Sequence, residues 1–362
     1  MWVTADQVFD GEVLRSGVAL RIEQNEVAEI APAPQGATHV GAVIAPGLVD
    51  IQVNGGGGVL LNNDPSPGGV AAIIAAHRRL GSVAILPTLI TDRAEVMQQA
   101  TDAILATPEA IGLHLEGPHI AASKRGTHAE QHIRPLDQTT KDCVHRLVRD
   151  GKVAFTTVAP DIVSPADIAD LIDLGGVVSL GHSDATAQQV SAALGAGASC
   201  GTHLYNAMSQ MQGRAPAMVG GLIGSDAFVS VICDGHHVRD EMITLALRAR
   251  PQPDRMMLVS DAMATVGGPD TFELYGQTIE VQAGRLVNAD GNLAGAHISQ
   301  AEGMARAIAK LGLSLERALR MAITVPAKAI ARPDLSSLVG RAARDCVIMS
   351  NDGSYLSSLE DF

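Results

Sequence analysis

A rhythm that begins near Ala45 and repeats eight times constrains this chain more than any other feature. A short apolar run is followed by a polar or glycine-rich turn, and then by an alanine-rich helical stretch. The runs cover 48–53, 83–88, 111–116, 153–158, 177–180, 200–204, 229–233 and 256–260, with helical segments such as GGVAAIIAAHRRLG, RAEVMQQATDAILA and DEMITLALRAR between them. Eight βα units point to a closed (β/α)8 barrel more than to an open doubly wound sheet. Barrels of this kind place their chemistry at the C-terminal ends of the strands. Those ends carry Gln52 and Asn54, Glu116, His182, His203, Asp234 with His236 and His237, and Asp261.

The flanks differ. Residues 1–43 alternate and turn in short units, which reads as a small antiparallel sheet, and RDCVIMS (344–350) is a further β-like run near the other terminus. The expected fold class is therefore α/β: a (β/α)8 TIM-like barrel over 45–335, with a small β-sandwich domain formed by the two chain ends, 1–44 and 336–362. A glycine-punctuated hairpin is expected as an insertion near 270–292. AEGMARAIAKLG and SLERALRMAITVPAKAIA read as ordinary amphipathic helices that complete the barrel.

Composition narrows the class of partner. Hydrophobic residues make up 46% of the 362, but aromatic ones only 2%, so the core must be built from Ala, Val, Leu and Ile. A formal charge of -13 disfavours nucleic acid and anionic membrane, and leaves a small anionic substrate open if local cations receive it. Cys143, Cys200, Cys233 and Cys346 show no CxxC spacing and read as buried free thiols of a reducing compartment. The N-terminal segment has no basic-then-apolar pattern, so the expected location is the cytoplasm.

Chemistry concentrates between Val177 and Met208, where strand, helix and strand succeed one another and each strand ends in a histidine. His182 and His203 thus stand at equivalent ends of neighbouring parallel strands. Glu116, at the end of IGLHLEGPH, adds a carboxylate. Two imidazoles and a carboxylate with an open fourth position suit a catalytic divalent ion, zinc before others. Asp261, ending MMLVSDAMA, is placed to take a proton from the attacking water and return it to a leaving amine; its bland alternative is a helix N-cap. His114 shares a strand face with Glu116 and reads as a hydrogen-bonding residue below the ion. Arg214, and Lys124, Arg125 and His128 in SKRGTHAE, are candidates for an anion such as phosphate. Two motifs mislead: GHSDA lacks the last glycine of a nucleophile elbow around Ser183, and the GGGG run at 55–58 fits neither phosphate-loop fingerprint.

PGLVDIQVNG, GLHLEGPH with KRGTH, TVAPD, GHSDAT, THLYNAM, DGHHV, LVSDA and DGNLAG occur in one order along nearly the whole chain. In that order and approximate spacing they resemble the N-acetylglucosamine-6-phosphate deacetylases of the amidohydrolase superfamily. The resemblance implies a metal-dependent barrel enzyme, usually a homodimer, that removes acetate from the sugar phosphate. It implies Glu116, His182 and His203 as ligands of one divalent ion, Zn2+ first, and Asp261 as the catalytic acid/base. Substrate contacts would fall to Thr127, His128, Asn206, Ala207, Arg214, Asp234, His237, Leu293, Ala294 and Gly295. Where many amidohydrolases carry His-x-His, this chain reads Gln52-Val53-Asn54, which argues against a second ion. It also departs from the family pattern at Gly56, often a cysteine, and at AHISQ (296–300). The alternatives are a deacetylase of the galactosamine epimer, or a cyclic amide hydrolase, which commonly needs the His-x-His pair and a lysine that the fourth strand end, FTTVAPD, lacks. A catalytically dead scaffold would be expected to have lost ligands.

Overall fold

The computed structural model describes residues 1–287 and 293–362. Eight parallel strands pair in chain order: β1 (Leu48–Val53), β2 (Ser82–Ile90), β3 (Gly112–Glu116), β4 (Val153–Val158), β5 (Val177–Leu180), β6 (Cys200–Gly201), β7 (Phe228–Ile232) and β8 (Met256–Val259). Just past β8 the chain meets β1 again: the Asp261 amide donates to the Gln52 carbonyl at 3.0 Å, and the Asn54 amide to the Ala262 carbonyl at 2.8 Å. The sheet is thereby closed into a barrel. Every residue of β1, β3, β4 and β8 is buried, which is why these runs show no in-out alternation.

The helices that follow the strands are α1 (Pro67–Arg78), α2 (Ala94–Leu105), α3 (Gln138–Arg149), α4 (Pro165–Asp173), α5 (Ala187–Gly195), α6 (Ala217–Ile223), α7 (Asp240–Ala249) and α8 (Gln300–Leu311). Local chemistry fixes several starts. Thr186 with Gln189 caps α5, and Ser299 with Glu302 caps α8, each as a reciprocal capping box. Gln300, in the divergent AHISQ segment, has its own task at the seam: its side-chain amide donates to the carbonyls of Val49 and Leu258, each at 2.9 Å.

One buried cluster takes Ile51, Leu86, Phe155, Cys200 and Met257 from strands that are mostly not neighbours. Such residues meet through the barrel interior, and with so few aromatics they are mainly aliphatic. The two chain ends build a separate pair of sheets. Cys346–Met349 runs antiparallel to Val43–Pro46, and Val8, Leu20, Ile44, Leu338 and Ile348 from both ends share one apolar cluster.

Three expectations need correction. The N-terminal region is not purely antiparallel, since Val3 pairs with Thr38, and Gln7 with Val43, in parallel. The hairpin Val18–Glu23/Glu26–Pro32 lies between those partners and sends the chain back in its original direction. The insertion has three antiparallel strands, Thr271–Leu274, Gln277–Gln282 and Arg285–Val287, and the rest of the expected hairpin, 288–292, lies outside the described residues. SLERALRMAITVPAKAIA is not one regular helix: a π-turn, Arg320–Thr324, separates Leu315–Leu319 from Val325–Ala329. Pro326 has no amide to donate backwards, so the hydrogen-bond ladder changes register just before it.

Candidate active site

The residues at the strand ends are turned inward by their backbone. His182, His203 and Asp261 have φ of 48°, 34° and 52°, a left-handed conformation that few residues other than glycine adopt and that concentrates at functional sites. The turns aim three side chains at one point. Glu116 Oε1 lies 2.9 Å from His203 Nε2 and 3.2 Å from His182 Nε2, and the two nitrogens are 3.0 Å apart. All three residues are buried.

Hydrogen bonding behind the triangle fixes what it presents. His182 Nδ1 is 2.8 Å from the Lys124 carbonyl, so the ring proton sits on Nδ1 and Nε2 offers a bare lone pair. Asp161 braces the turn that carries His182 by accepting from Ser183 Oγ at 2.5 Å. His203 Nδ1 is buried without a hydrogen-bond partner. Burial opposes the charge of Glu116, but the facing His182 and His203 imidazoles hold its carboxyl well below the usual range. Burial likewise opposes a charge on His203, and Glu116 beside it outweighs that. Two imidazoles and one carboxylate at such spacings fit the donor set of a divalent ion with an open coordination position. Among the described residues this is the group of three so placed.

Asp261 stands beside the triangle without joining it. Its Oδ1 accepts from Asn54 Nδ2 at 2.7 Å and from Gln52 Nε2 at 3.1 Å; the same Gln52 nitrogen donates to Glu116 Oε1 at 2.9 Å. One amide group therefore spans the ligand carboxylate and the free one. Burial, then the neighbouring Glu116, pushes the Asp261 carboxyl up to about 6, in the range where a carboxyl group can both accept and release a proton near neutrality. The spacing of DIQVN indicates a strand end, and these three hydrogen bonds are what the sequence does not reveal.

The triangle opens into a cavity of about 550 Å3. Thr127, His128, Asn206, Ala207, His237, Leu293 and Gly295 line it, as do Asn54 and Arg125. His237 Nδ1 donates to Asp234 Oδ2 at 2.6 Å, while Asp234 Oδ1 accepts the amides of His236 and His237. Asp234 thus stands behind His237 and orients it. Burial, then the adjacent His182, holds His128 well below its ordinary range. Three predicted contacts stand off the wall. Ala294 is fully buried behind its two neighbours, Asp234 is screened by His237, and Arg214 is exposed on the loop turned by the Gln212–Ala215 backbone pairing. The cation that does reach the cavity is Arg125, from the same KRGTH segment as His128.

A closed barrel with a His–His–Glu triangle and a free aspartate at its C-terminal mouth defines the class of hydrolase. The chain matches the amidohydrolase family over residues 43–349 and belongs to it. It is 38% identical over 324 residues to the N-acetylgalactosamine-6-phosphate deacetylase of Shewanella sp. (strain ANA-3), covering 88% of this chain and 81% of that protein. With the N-acetylglucosamine-6-phosphate deacetylase of Haemophilus influenzae it shares 32% identity, over 80% of this chain and 78% of the other. The solved N-acetylglucosamine-6-phosphate deacetylase from Pasteurella multocida superposes with a TM-score of 0.90 at 31% identity, covering 98% and 97% of the two chains. A D-hydantoinase shares the fold alone, with a TM-score of 0.60 at 14% identity.

Proposed function

We propose that the protein hydrolyses N-acetyl-D-glucosamine 6-phosphate to D-glucosamine 6-phosphate and acetate, a step of amino-sugar catabolism. The observation that carries this reading is the Glu116–His182–His203 triangle with Asp261 alongside it, at the mouth of a barrel whose relatives carry out this reaction. A second reading, the galactosamine epimer, is favoured by the 38% identity to a deacetylase of that sugar phosphate.

Glu116, His182 and His203 would hold one divalent ion, most readily Zn2+, which when bound supplies a Lewis acid for the acetamide carbonyl and the attacking water. Asp261 takes a proton from water as the water oxygen bonds to the carbonyl carbon. The carbon–nitrogen bond then breaks, and the proton passes from Asp261 to the departing amine, which leaves acetate behind. His237, oriented by Asp234, and His128 steady the substrate oxygens, with Thr127, Asn206, Ala207 and the Leu293–Gly295 segment around the sugar. Arg125 at the cavity wall supplies a cationic contact for the phosphate. Binding of that remote group orients the amide, so the unphosphorylated sugar is a poor substrate.

The same reading makes the protein a cytoplasmic homodimer, with a small β domain (1–44 and 336–362) beside the catalytic barrel (45–335). No helix among the described residues is long and apolar enough to cross a membrane. Acetate release from the two epimeric N-acetylhexosamine 6-phosphates, each with and without chelator, tests the proposal. Turnover of the glucosamine epimer that chelation abolishes is expected; turnover of the galactosamine epimer alone would replace the first reading by the second, and turnover of neither would overturn both.

A further inference from the structure

Tyr275 and Gly276 form the two-residue turn between the first two strands of the insertion, where Leu274 pairs with Gln277; their φ values are 50° and 78°. A turn with both central residues left-handed favours Asn, Asp or Gly. A bulky aromatic there is conformationally costly, which points to a task for its side chain. The Tyr275 hydroxyl donates to the backbone carbonyl of Thr91 at 2.5 Å, across 184 residues of sequence. Thr91 in turn meets His128 twice on one atom: its amide lies 3.3 Å, and its hydroxyl 2.8 Å, from His128 Nδ1.

A backbone amide can only donate, so Nδ1 is an acceptor and the proton of the neutral ring resides on Nε2. The threonine hydroxyl donates to Nδ1 as well. With Nδ1 capped from behind, the N–H edge is what His128 presents along the cavity it lines. The space around the hydroxyl is reserved: Gly117 has φ 82°, and a Cβ there would fall 2.3 Å from Thr91 Oγ1.

We infer that Thr91, and Tyr275 behind it, are positioning residues that fix His128 as a neutral Nε2–H donor to an acceptor oxygen of the bound acetamido sugar. The inserted ribbon is thereby tied to the reaction at its tip. This inference rests on the deacetylase reading above, and its test separates the two.

The metal-loaded protein with 15N-labelled histidine is examined by ring-nitrogen NMR, alongside acetate-release kinetics on the better hexosamine 6-phosphate. In the unaltered protein His128 is expected to show a protonated Nε2 and a bare Nδ1. Thr91→Val is expected to raise the Nδ1–H tautomer and lower kcat/KM roughly tenfold to a hundredfold, at unchanged metal content. Thr91→Ser, which restores the hydroxyl, should recover to within about threefold of the parent, and Tyr275→Phe should lose about threefold to tenfold. A proton on Nδ1 in the unaltered protein overturns the inference, as does a Val variant with parental kinetics or a Ser variant no better than Val. A Tyr275→Phe variant identical to the parent in spectrum and rate removes the ribbon from the arrangement. If the parent releases no acetate at all, the functional reading falls, and the spectrum still decides where the His128 proton lies.

Discussion

Two layers of the same barrel hold buried histidines and treat them in opposite ways. In the lower layer His114 has both nitrogens partnered, Nδ1 by Thr88 Oγ1 at 3.2 Å and Nε2 by Thr157 Oγ1 at 2.7 Å. The hydroxyls continue through Thr202 to Ser179 at 2.8 and 2.6 Å. Burial pushes the His114 imidazole down to about 4, so it is a neutral, satisfied member of a polar network. Glu116 lies two residues along the same strand, on the same face, and one layer higher. There, Glu116 Oε1 and the Nε2 atoms of His182 and His203 lie within 3.2 Å of one another, and His182, whose Nδ1–H goes to the Lys124 carbonyl, turns a bare Nε2 to that point. Burial is common to both layers; what marks a ligand is the lone pair left without a hydrogen.

That contrast predicts graded consequences. Glu116→Gln removes the anionic member of the triangle, and the expected result is a metal content well below one ion per chain together with loss of measurable acetate release. A variant that keeps both would erase the distinction between the layers. Asp261→Asn should keep the ion, because Asp261 stands outside the triangle, and should slow turnover about 10²- to 10⁴-fold; elemental analysis beside single-turnover rates checks both halves. His114→Ala should act on stability instead. Its metal content should stay at the parental value while stability to denaturant falls by about 1–3 kcal/mol, since the Thr88 and Thr157 hydroxyls lose a buried partner. Loss of metal in that variant would show that the lower layer shapes the upper one.

The seam between β1 and β8 offers a pH-dependent test of the same idea. Asp50 is fully buried and accepts the Ser260 and Gln52 amides at 3.2 and 3.3 Å. Burial outweighs these bonds and pushes its carboxyl up to about 7. A folded-state value above the ordinary 3.8 means that the folded chain binds the extra proton between the two values. The contribution is therefore complete below pH 3.8 and is lost as pH rises through about 7. Asp50→Asn should remove that slope, so the stability difference between variant and parent changes across this window and is flat above it. A constant difference would place the Asp50 carboxyl in its ordinary range.

The barrel was readable because its strands are short apolar runs, and the limits of β4 and β5 match the expected 153–158 and 177–180. The sixth strand stops at Gly201 where the pattern suggests 204, since left-handed His203 bends the chain into the mouth and leaves the ladder. Spacing alone placed Glu116, His182, His203 and Asp261 at strand ends. What stayed hidden depends on contacts that leave no local pattern. The Gln52 amide spanning two carboxylates is one, and the Tyr275 hydroxyl on a carbonyl 184 residues away is another. Arg214 shows the converse: its motif is recognisable, yet its place on an exposed loop is set by a turn that the motif does not encode. Gly56 has a steric reason for departing from the family pattern, because a Cβ there would come within 2.7 Å of His77 Nε2.

The adjacent pair His236 and His237 gives the smallest and most discriminating effect. Both sit in DGHHV, and both amides bond to Asp234 Oδ1, so the backbone treats them alike although the family resemblance singles out His237. Only the side chains differ. The His237 ring is held by Asp234 Oδ2 and lines the cavity, whereas His236 is exposed and faces the ribbon turn, where a Cβ on Gly284 would lie 3.3 Å from its Nε2. Exposed substitutions away from such features typically change stability by no more than ~0.5 kcal/mol. His236→Ala should accordingly leave kcat/KM within about twofold, because 0.5 kcal/mol corresponds to roughly that factor. His237→Ala, measured beside it, should lower kcat/KM at least about tenfold, as expected when a charge-assisted hydrogen-bonded group leaves a buried partner behind. Equal losses in the two variants would mean that the loop, and not the ring that reaches the cavity, is what the reaction requires.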